Sequence, residues 1–176
     1  MSEQAGRYQR SAAGMVGAMI VLVVVVVFMV FVRDASNTRA VPDPTPTVDY
    51  RQTVDYARRT ADFDLLAPRT LPAGWRATSV SFVPRGDQRW HLGMLTGTDG
   101  YVGLEQAGRS VSSMVEQYVD PEAARGGTVE IGGSAWQTFT DSGGDTALVR
   151  RQGDITTLVV GTVDRDVLVD FVKSLR

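Results

Sequence analysis

From residue 12 to residue 32 the chain reads AAGMVGAMIVLVVVVVFMVFV, twenty-one residues without a charge, Asn, Gln, Pro or His. As a helix rising about 1.5 Å per residue, this run is about 32 Å long, against a bilayer hydrocarbon core of about 30 Å. A water-soluble helix of that length carries a polar face, and this one has none. The β-branched run Val23–Val27 is a poor helix former in water. In lipid the preference reverses, because each backbone N–H and C=O must find its partner within the segment. A cleaved signal peptide fits less well: its apolar stretch is about 7–15 residues long and ends in a small-residue cleavage site, whereas Phe31-Val32-Arg33-Asp34 closes this one. The expectation is an uncleaved signal anchor whose partner is the lipid bilayer, through residues 12–32. Two small-xxx-small pairs, Ala13/Gly17 and Gly14/Ala18, would let two such helices approach closely, although small residues are common in membrane helices in any case.

Side-chain charge does not orient the span. Arg7 and Arg10 precede it, and Arg33 and Arg39 follow it, a tie under the positive-inside rule. The terminal amine tips the balance, and an N-terminal anchor followed by one folded domain commonly exports that domain. The expected arrangement is a cytoplasmic tail at 1–11, a plasma-membrane span at 12–32 and an extracytoplasmic domain at 50–176. Between them, residues 33–49 are polar, lack an apolar period, and hold Pro42, Pro44 and Pro46 at alternate positions. Such a linker favours extended polyproline geometry and would stand the domain off the membrane by up to about 50 Å.

The 50–176 portion carries the whole net charge of −2, well mixed, so a basic field for nucleic acid is excluded. The absence of Cys excludes disulfides, thiolate metal sites and catalytic thiols. A near-repeat, Val48-Asp49-Tyr50 and Val54-Asp55-Tyr56, reads as a short helical lead-in of a turn or two that lays Val54 and Ala57 on the domain. From Phe63 the pattern turns to strands, beginning with the short apolar run Phe63–Leu66. Leu71-Pro72-Ala73-Gly74-Trp75 is a turn. Arg76–Val83 then alternates with Val80 and Phe82 inward, and Ala77, Ser79, Ser81 and Val83 on the opposite side. Arg89–Thr96 and Tyr101–Gln106 flank Gly97-Thr98-Asp99-Gly100, a hairpin signal. Thr128–Ile131, Ala135–Thr140, Thr146–Arg151 and Ile155–Gly161, separated by Gly-rich turns, make an antiparallel meander, with the most apolar strand, Ile155–Val160, at its centre.

Two helices interrupt the strands. Ser110 caps one whose Val111, Met114, Val115 and Tyr118 fall on one face, with Pro121 beyond it. Asp164 caps the other, with Leu168, Phe171, Val172 and Leu175 at the same spacing and Lys173 and Arg176 at its negative end. The expected fold class is α+β: an N-terminal transmembrane helix, a Pro/Thr-rich stalk, then a two-layer domain of six or seven antiparallel strands covered by two helices.

Tests for chemistry return little. His91 is the single histidine; it lies inside a strand, with no Gly-x-Ser-x-Gly elbow, and reads as a strand histidine bonded to a neighbour or to water. One His makes zinc improbable. Asp141-Ser142-Gly143-Gly144-Asp145 lacks the alternating ligands and closing Glu of a calcium loop and reads as a hairpin turn. Gly126-Gly127, Gly132-Gly133 and Gly143-Gly144 are followed by no Gly-Lys-Ser/Thr and no helix, so they are not phosphate loops. No pair of carboxylates is singled out for glycosidase-type acid–base work. Trp75, Trp90, Trp136 and Tyr101 fit core positions better than a ligand-binding face. Arg58-Arg59 and Arg150-Arg151 read as solvated surface, with contact to anionic lipid heads as the alternative. No catalytic, cofactor-binding or metal-ligating residue is assigned.

Leu65-Leu66-Ala67-Pro68, Leu71-Pro72-Ala73-Gly74-Trp75, Gly132-Gly133-Ser134-Ala135-Trp136 and the closing Thr157–Leu175 strand–helix unit, set behind an anchor and a Pro/Thr stalk, resemble an actinobacterial family of exported proteins, the DUF 4245-like single-pass membrane proteins. Arginine-heavy usage, 17 Arg to 1 Lys, is compatible with a GC-rich genome. The resemblance covers residues 12–176 and rests on turns and core positions, so it implies a single-pass membrane protein of unassigned function and transfers no catalytic residue. The leading expectation is a non-enzymatic, membrane-anchored binding or interaction module of the cell envelope. The alternatives are an envelope enzyme using carboxylates and His91, and a signalling or division-complex subunit acting through its membrane helix.

Overall fold

The most apolar strand takes the centre of the sheet, as its composition predicts. The computed structural model describes residues 46–176; the expectations for the tail, the membrane span, its small-xxx-small pairs and residues 33–45 of the linker lie outside them. The strands are β1 (Arg76–Val83), β2 (Arg89–Leu95), β3 (Tyr101–Ala107), β4 (Ala124–Ile131), β5 (Ser134–Thr140), β6 (Thr146–Gln152) and β7 (Ile155–Gly161). They form one seven-stranded antiparallel sheet in the order β1-β2-β3-β7-β6-β5-β4. The helices are α1 (Arg51–Thr60), α2 (Val111–Tyr118) and α3 (Arg165–Ser174). No helix among the described residues is long and apolar enough to cross a membrane.

The sheet is covered on both faces, which corrects the two-layer expectation. On one face Leu92, Leu104, Leu148 and Val159 pack with Val54 and Ala57 of α1 and Leu168, Phe171 and Val172 of α3. On the other, Ala147, Val149, Leu158 and Val160 pack with Met114 and Val115 of α2. Strand alternation sends neighbouring residues to opposite faces, so β7, apolar at both parities, requires cover on both. The lead-in after the linker is a full ten-residue helix rather than a turn or two, and it is the third helix that the two-helix expectation lacks. Its Tyr50 flank is pinned as well, the hydroxyl donating to the Pro68 carbonyl at 3.2 Å.

Local chemistry explains most boundaries. Ser110 caps α2, its hydroxyl accepting from the Ser113 amide at 3.2 Å. Asp164 stands at the N-cap of α3, but its carboxylate makes no capping bond; its carbonyl serves Val167 instead. Gly132 and Gly133 both take positive φ, +58° and +75°, as the two-residue hairpin joining Ile131 to Ser134 requires. Two expectations fail for identifiable reasons. Phe63–Leu66 is not a strand: its backbone is bonded by side chains, with the Gln106 carbonyl oxygen accepting from Leu66 N–H at 2.7 Å and the Trp90 indole donating to the Leu66 carbonyl at 3.1 Å. Ala77 is buried rather than outward, because a β-bulge between Ala77 and Ser79 shifts the register. Ala77 faces the core opposite Met94, while Ser79, two residues on, stands opposite Gly93 on the other face.

The packing fixes a pair of glycine substitutions with opposite outcomes. A Cβ on Gly161 would lie 2.5 Å from the Tyr101 carbonyl oxygen and 3.1 Å from Leu168, and backbone cannot yield. Gly161→Ala is expected to lose about 1–3 kcal/mol in urea unfolding followed by tryptophan fluorescence. Gly127, whose Cβ would meet nothing within 4 Å, is expected to accept Ala with no loss.

Candidate functional site

The polar face of the β1–β2–β3 ladder assembles a line of side chains that strand spacing alone does not reveal. Strand β2 alternates so that Trp90, Leu92 and Met94 enter the core while His91 and Gly93 face the other way. Across the hairpin, His91 stands opposite Glu105 and Gly93 opposite Gly103. The His91 Nδ1 lies 2.5 Å from Glu105 Oε1, and its Nε2 lies 2.7 Å from the Ser79 hydroxyl. Ser81, not Ser79, is the direct register partner of His91; the ring reaches past it to the diagonal residue.

Glycine makes that reach sterically possible. A Cβ on Gly93 would fall far inside contact distance of Ser79 Oγ, 3.3 Å from His91 Nε2 and 3.4 Å from the Tyr101 hydroxyl. Three polar atoms therefore crowd over Gly93, in space that any side chain there would contest. Gly103 extends this floor: Tyr101 lies across it, its hydroxyl 2.8 Å from where a Cβ would be.

The electrostatics are uneven along the line. Glu105 is 2% exposed, whereas His91 and Ser79 are half-buried and open toward solvent. Burial pushes the Glu105 carboxyl above its ordinary 4.5, while the His91 hydrogen bond and charge, and a bond from the Tyr118 hydroxyl, pull it partly back. Burial, followed by the Glu105 charge, raises the Tyr101 and Tyr118 phenols above 10.0, so both remain neutral O–H donors near neutrality. Arg89, His91, Glu105 and Tyr118 border a cavity of about 250 Å³ at the end of α2.

A larger hollow, about 640 Å³, lies on the opposite face beside Phe63, Leu66, Arg150 and Thr157. Most of its polar groups serve one another: Gln106 bonds Leu66, Asp64 and Thr157, and Arg150 lies 5.3 Å over the Trp136 ring and bonds Ser134, although its buried Nε has no partner among the described residues. Size favours that hollow, and convergent polar chemistry favours the His91 line.

The other residues considered from sequence fall as follows. Trp90 and Trp136 are buried, and Trp75 stacks on Phe171 at 5.6 Å, all three in the core; Tyr101 instead belongs to the His91 face. The Asp141–Asp145 segment is a turn in which the Asp141 carboxylate accepts the Asp145 amide at 2.7 Å. Arg58 donates to the Arg176 carbonyl and Arg151 to that of Arg109, so the arginine pairs are tied down more than a solvated surface implies. Among the described residues no three His, Asp or Glu side chains converge as a metal centre requires. His91 is bonded to neighbours as expected, but its partners Ser79 and Glu105 were not singled out. Glu105 could have been found by counting: His91 lies four residues before Leu95 and Glu105 four after Tyr101, and those two residues face one another. Ser79 lies on the side opposite Val80 and Phe82, as alternation has it, but its register partner is Gly93, so its meeting with His91 could not be read by counting.

Fold and site together define a helix-covered antiparallel sheet domain with a polar Ser–His–Glu line on the uncovered part of one face. The chain belongs to the family described as Protein of unknown function (DUF4245), whose model matches residues 7–175. No curated protein and no solved structure matches it.

The Glu105 carboxyl gives the site a pH signature. The folded chain keeps this proton to a higher pH than the unfolded chain does. The stability the group contributes is therefore full below its ordinary 4.5 and is lost as pH rises through the raised folded value. Glu105→Gln removes that loss, so its urea midpoint relative to wild type is expected to climb between about pH 4 and about pH 7; a flat difference would contradict the assignment.

Proposed function

We propose that this protein is a membrane-anchored module. Its N-terminus lies in the cytoplasm, its sheet domain stands outside the plasma membrane, and it engages a hydrogen-bonding ligand or partner of the cell envelope through the uncovered part of the β1–β2–β3 face. The tether is supported by the uncharged run at 12–32, too long and too uniformly apolar for a soluble helix, and by a family match that begins at residue 7 and so includes that run. The polar, Pro-rich composition of residues 33–49 suits a spacer between anchor and domain.

One observation carries the working face: α2 covers β7 and β6, while the adjoining part of that face presents Ser79, His91 and Tyr101 around a glycine floor. Convergent polar groups over a small hollow are what ligand recognition uses. The second reading, an envelope enzyme acting through a carboxylate and His91, is favoured by the 2.5 Å contact of His91 with Glu105.

Placement is tested by protease added to intact cells that carry the chain with a C-terminal epitope. Residues 50–176 are expected to be reached without lysis, leaving a membrane-retained N-terminal fragment. Protection of the epitope until the cells are broken would reverse the orientation, and recovery of the uncleaved chain in the carbonate-soluble fraction would remove the anchor.

A further inference from the structure

We propose that Ser79 is a nucleophile activated by His91 and Glu105, and that the uncovered face accepts acyl groups from reactive carboxylic esters and passes them to water. The inference rests on the reading of that face as the working surface and adds a chemistry to it.

The three side chains stand in the order that acyl transfer needs: nucleophile, base, orienting carboxylate. With Glu105 ionised, its oxygen accepts the Nδ1–H of His91. That leaves Nε2 as the acceptor facing the Ser79 hydroxyl at 2.7 Å. Incidental cross-strand pairing would join His91 to Ser81, its exposed register partner. The ring instead meets Ser79, two residues along the same face, which Gly93 leaves room for. Both ring nitrogens are thus committed, one to a buried carboxylate and one to a half-buried hydroxyl that solvent can reach.

A reacting carbonyl would approach Ser79 from the solvent side of the strand. The Tyr101 hydroxyl crosses the same glycine floor as Ser79 Oγ and His91 Nε2, 3.4 Å from where a Gly93 Cβ would stand, which makes it the side-chain donor on hand for the oxygen of that carbonyl. In the first half-reaction Ser79 Oγ bonds to the carbonyl carbon while its proton passes to His91 Nε2. Tyr101 O–H donates to the oxygen that becomes charged. The carbon–alkoxy bond then breaks, and the leaving alcohol takes the proton from His91. In the second, His91 takes a proton from water, the resulting hydroxide attacks the acyl-Ser79 ester, and the released Ser79 oxygen recovers that proton. Ester and water give acid and alcohol, with no redox partner.

Substrate class follows from what surrounds the line. Strand β2 is paired on both edges, so its amide N–H groups are committed to the ladder, and the oxyanion relies on one phenol. A single side-chain donor on an open face suits acyl donors with good leaving groups, such as aryl esters or thioesters, rather than peptide amides.

The test uses the full chain in detergent with a fluorophosphonate probe and, in parallel, p-nitrophenyl butyrate. One covalent adduct is expected, mapped by mass spectrometry to Ser79, together with ester turnover. Ser79→Ala is expected to abolish both. His91→Gln should lower the labelling rate by about 100-fold or more, and Glu105→Gln should shift its pH profile. Ser142→Ala, in the distant Asp141–Asp145 turn, should change nothing. Tryptophan fluorescence verifies folding of each variant. An unlabelled folded wild type, an adduct on Ser81, or equal rates in wild type and a folded His91→Gln would overturn the proposal. None of those outcomes bears on which side of the membrane the domain occupies.

Discussion

The two-sided burial of β7 is the constraint on which the rest of the domain depends. Leu158 and Val160 point to one face, Val159 to the other, and all three are at most 5% exposed. An antiparallel sheet with one wet face would need cover on one side only; this one needs it on both. The chain meets that demand unequally. One face receives α1, α3 and the 61–72 segment, while the other receives α2 alone. At eight residues, α2 is about 12 Å long and, with its side chains, about 10 Å wide. Seven strands spaced about 4.8 Å apart span roughly 29 Å. A helix of that size cannot roof the sheet in any orientation, so part of that face is left to polar side chains, and the His91 line occupies it.

Within that space two glycines make room for the polar line. The bulge after Ala77 lets Ala77 enter the core while Ser79 keeps to the polar face with Ser81. Without Gly93, the Ser79 hydroxyl and the His91 ring could not meet, and without Gly103, Tyr101 could not lie flat beside them. None of these features stabilises the sheet: bulges interrupt ladders, and glycine in a strand forgoes side-chain packing. Their common effect is to bring three polar atoms together over Gly93.

Much of the fold was legible because it is written in local periods. The strands Arg89–Leu95 and Ile155–Gly161, the Ser110 cap and the stripe Leu168, Phe171, Val172 each follow from local composition and turn signals, and each stands within a residue of where expected. What escaped is non-local. Phe63–Leu66 carries a strand composition, but Gln106 and Trp90, distant in sequence, supply its backbone partners. The two-layer expectation failed because parity was weighed for each strand separately, whereas β7 is buried at both parities. The candidate site was legible in part: His91 stood out by rarity and Ser79 fell on the outward side of β1 by alternation, whereas Glu105 required pairing across the Gly97–Gly100 hairpin and the diagonal meeting of His91 with Ser79 required Gly93.

Energetics separates a site from an ornament. A carboxylate as buried as Glu105 is costly, and the attraction of a half-exposed His91 offsets that cost only in part. An apolar side chain among Ala107, Leu158 and Val160 would complete the α2 core and relieve it. Total stability of a domain is about 5–15 kcal/mol, so such a placement is a large fraction of what is available. It fixes no register that the hairpin does not already fix, since His91 and Glu105 are paired through their backbones. The structural return is therefore small against the cost. What an ionised carboxylate there does achieve is to hold a proton on the Nδ1 of His91 and leave Nε2 facing Ser79, the arrangement on which the proposed acyl transfer rests.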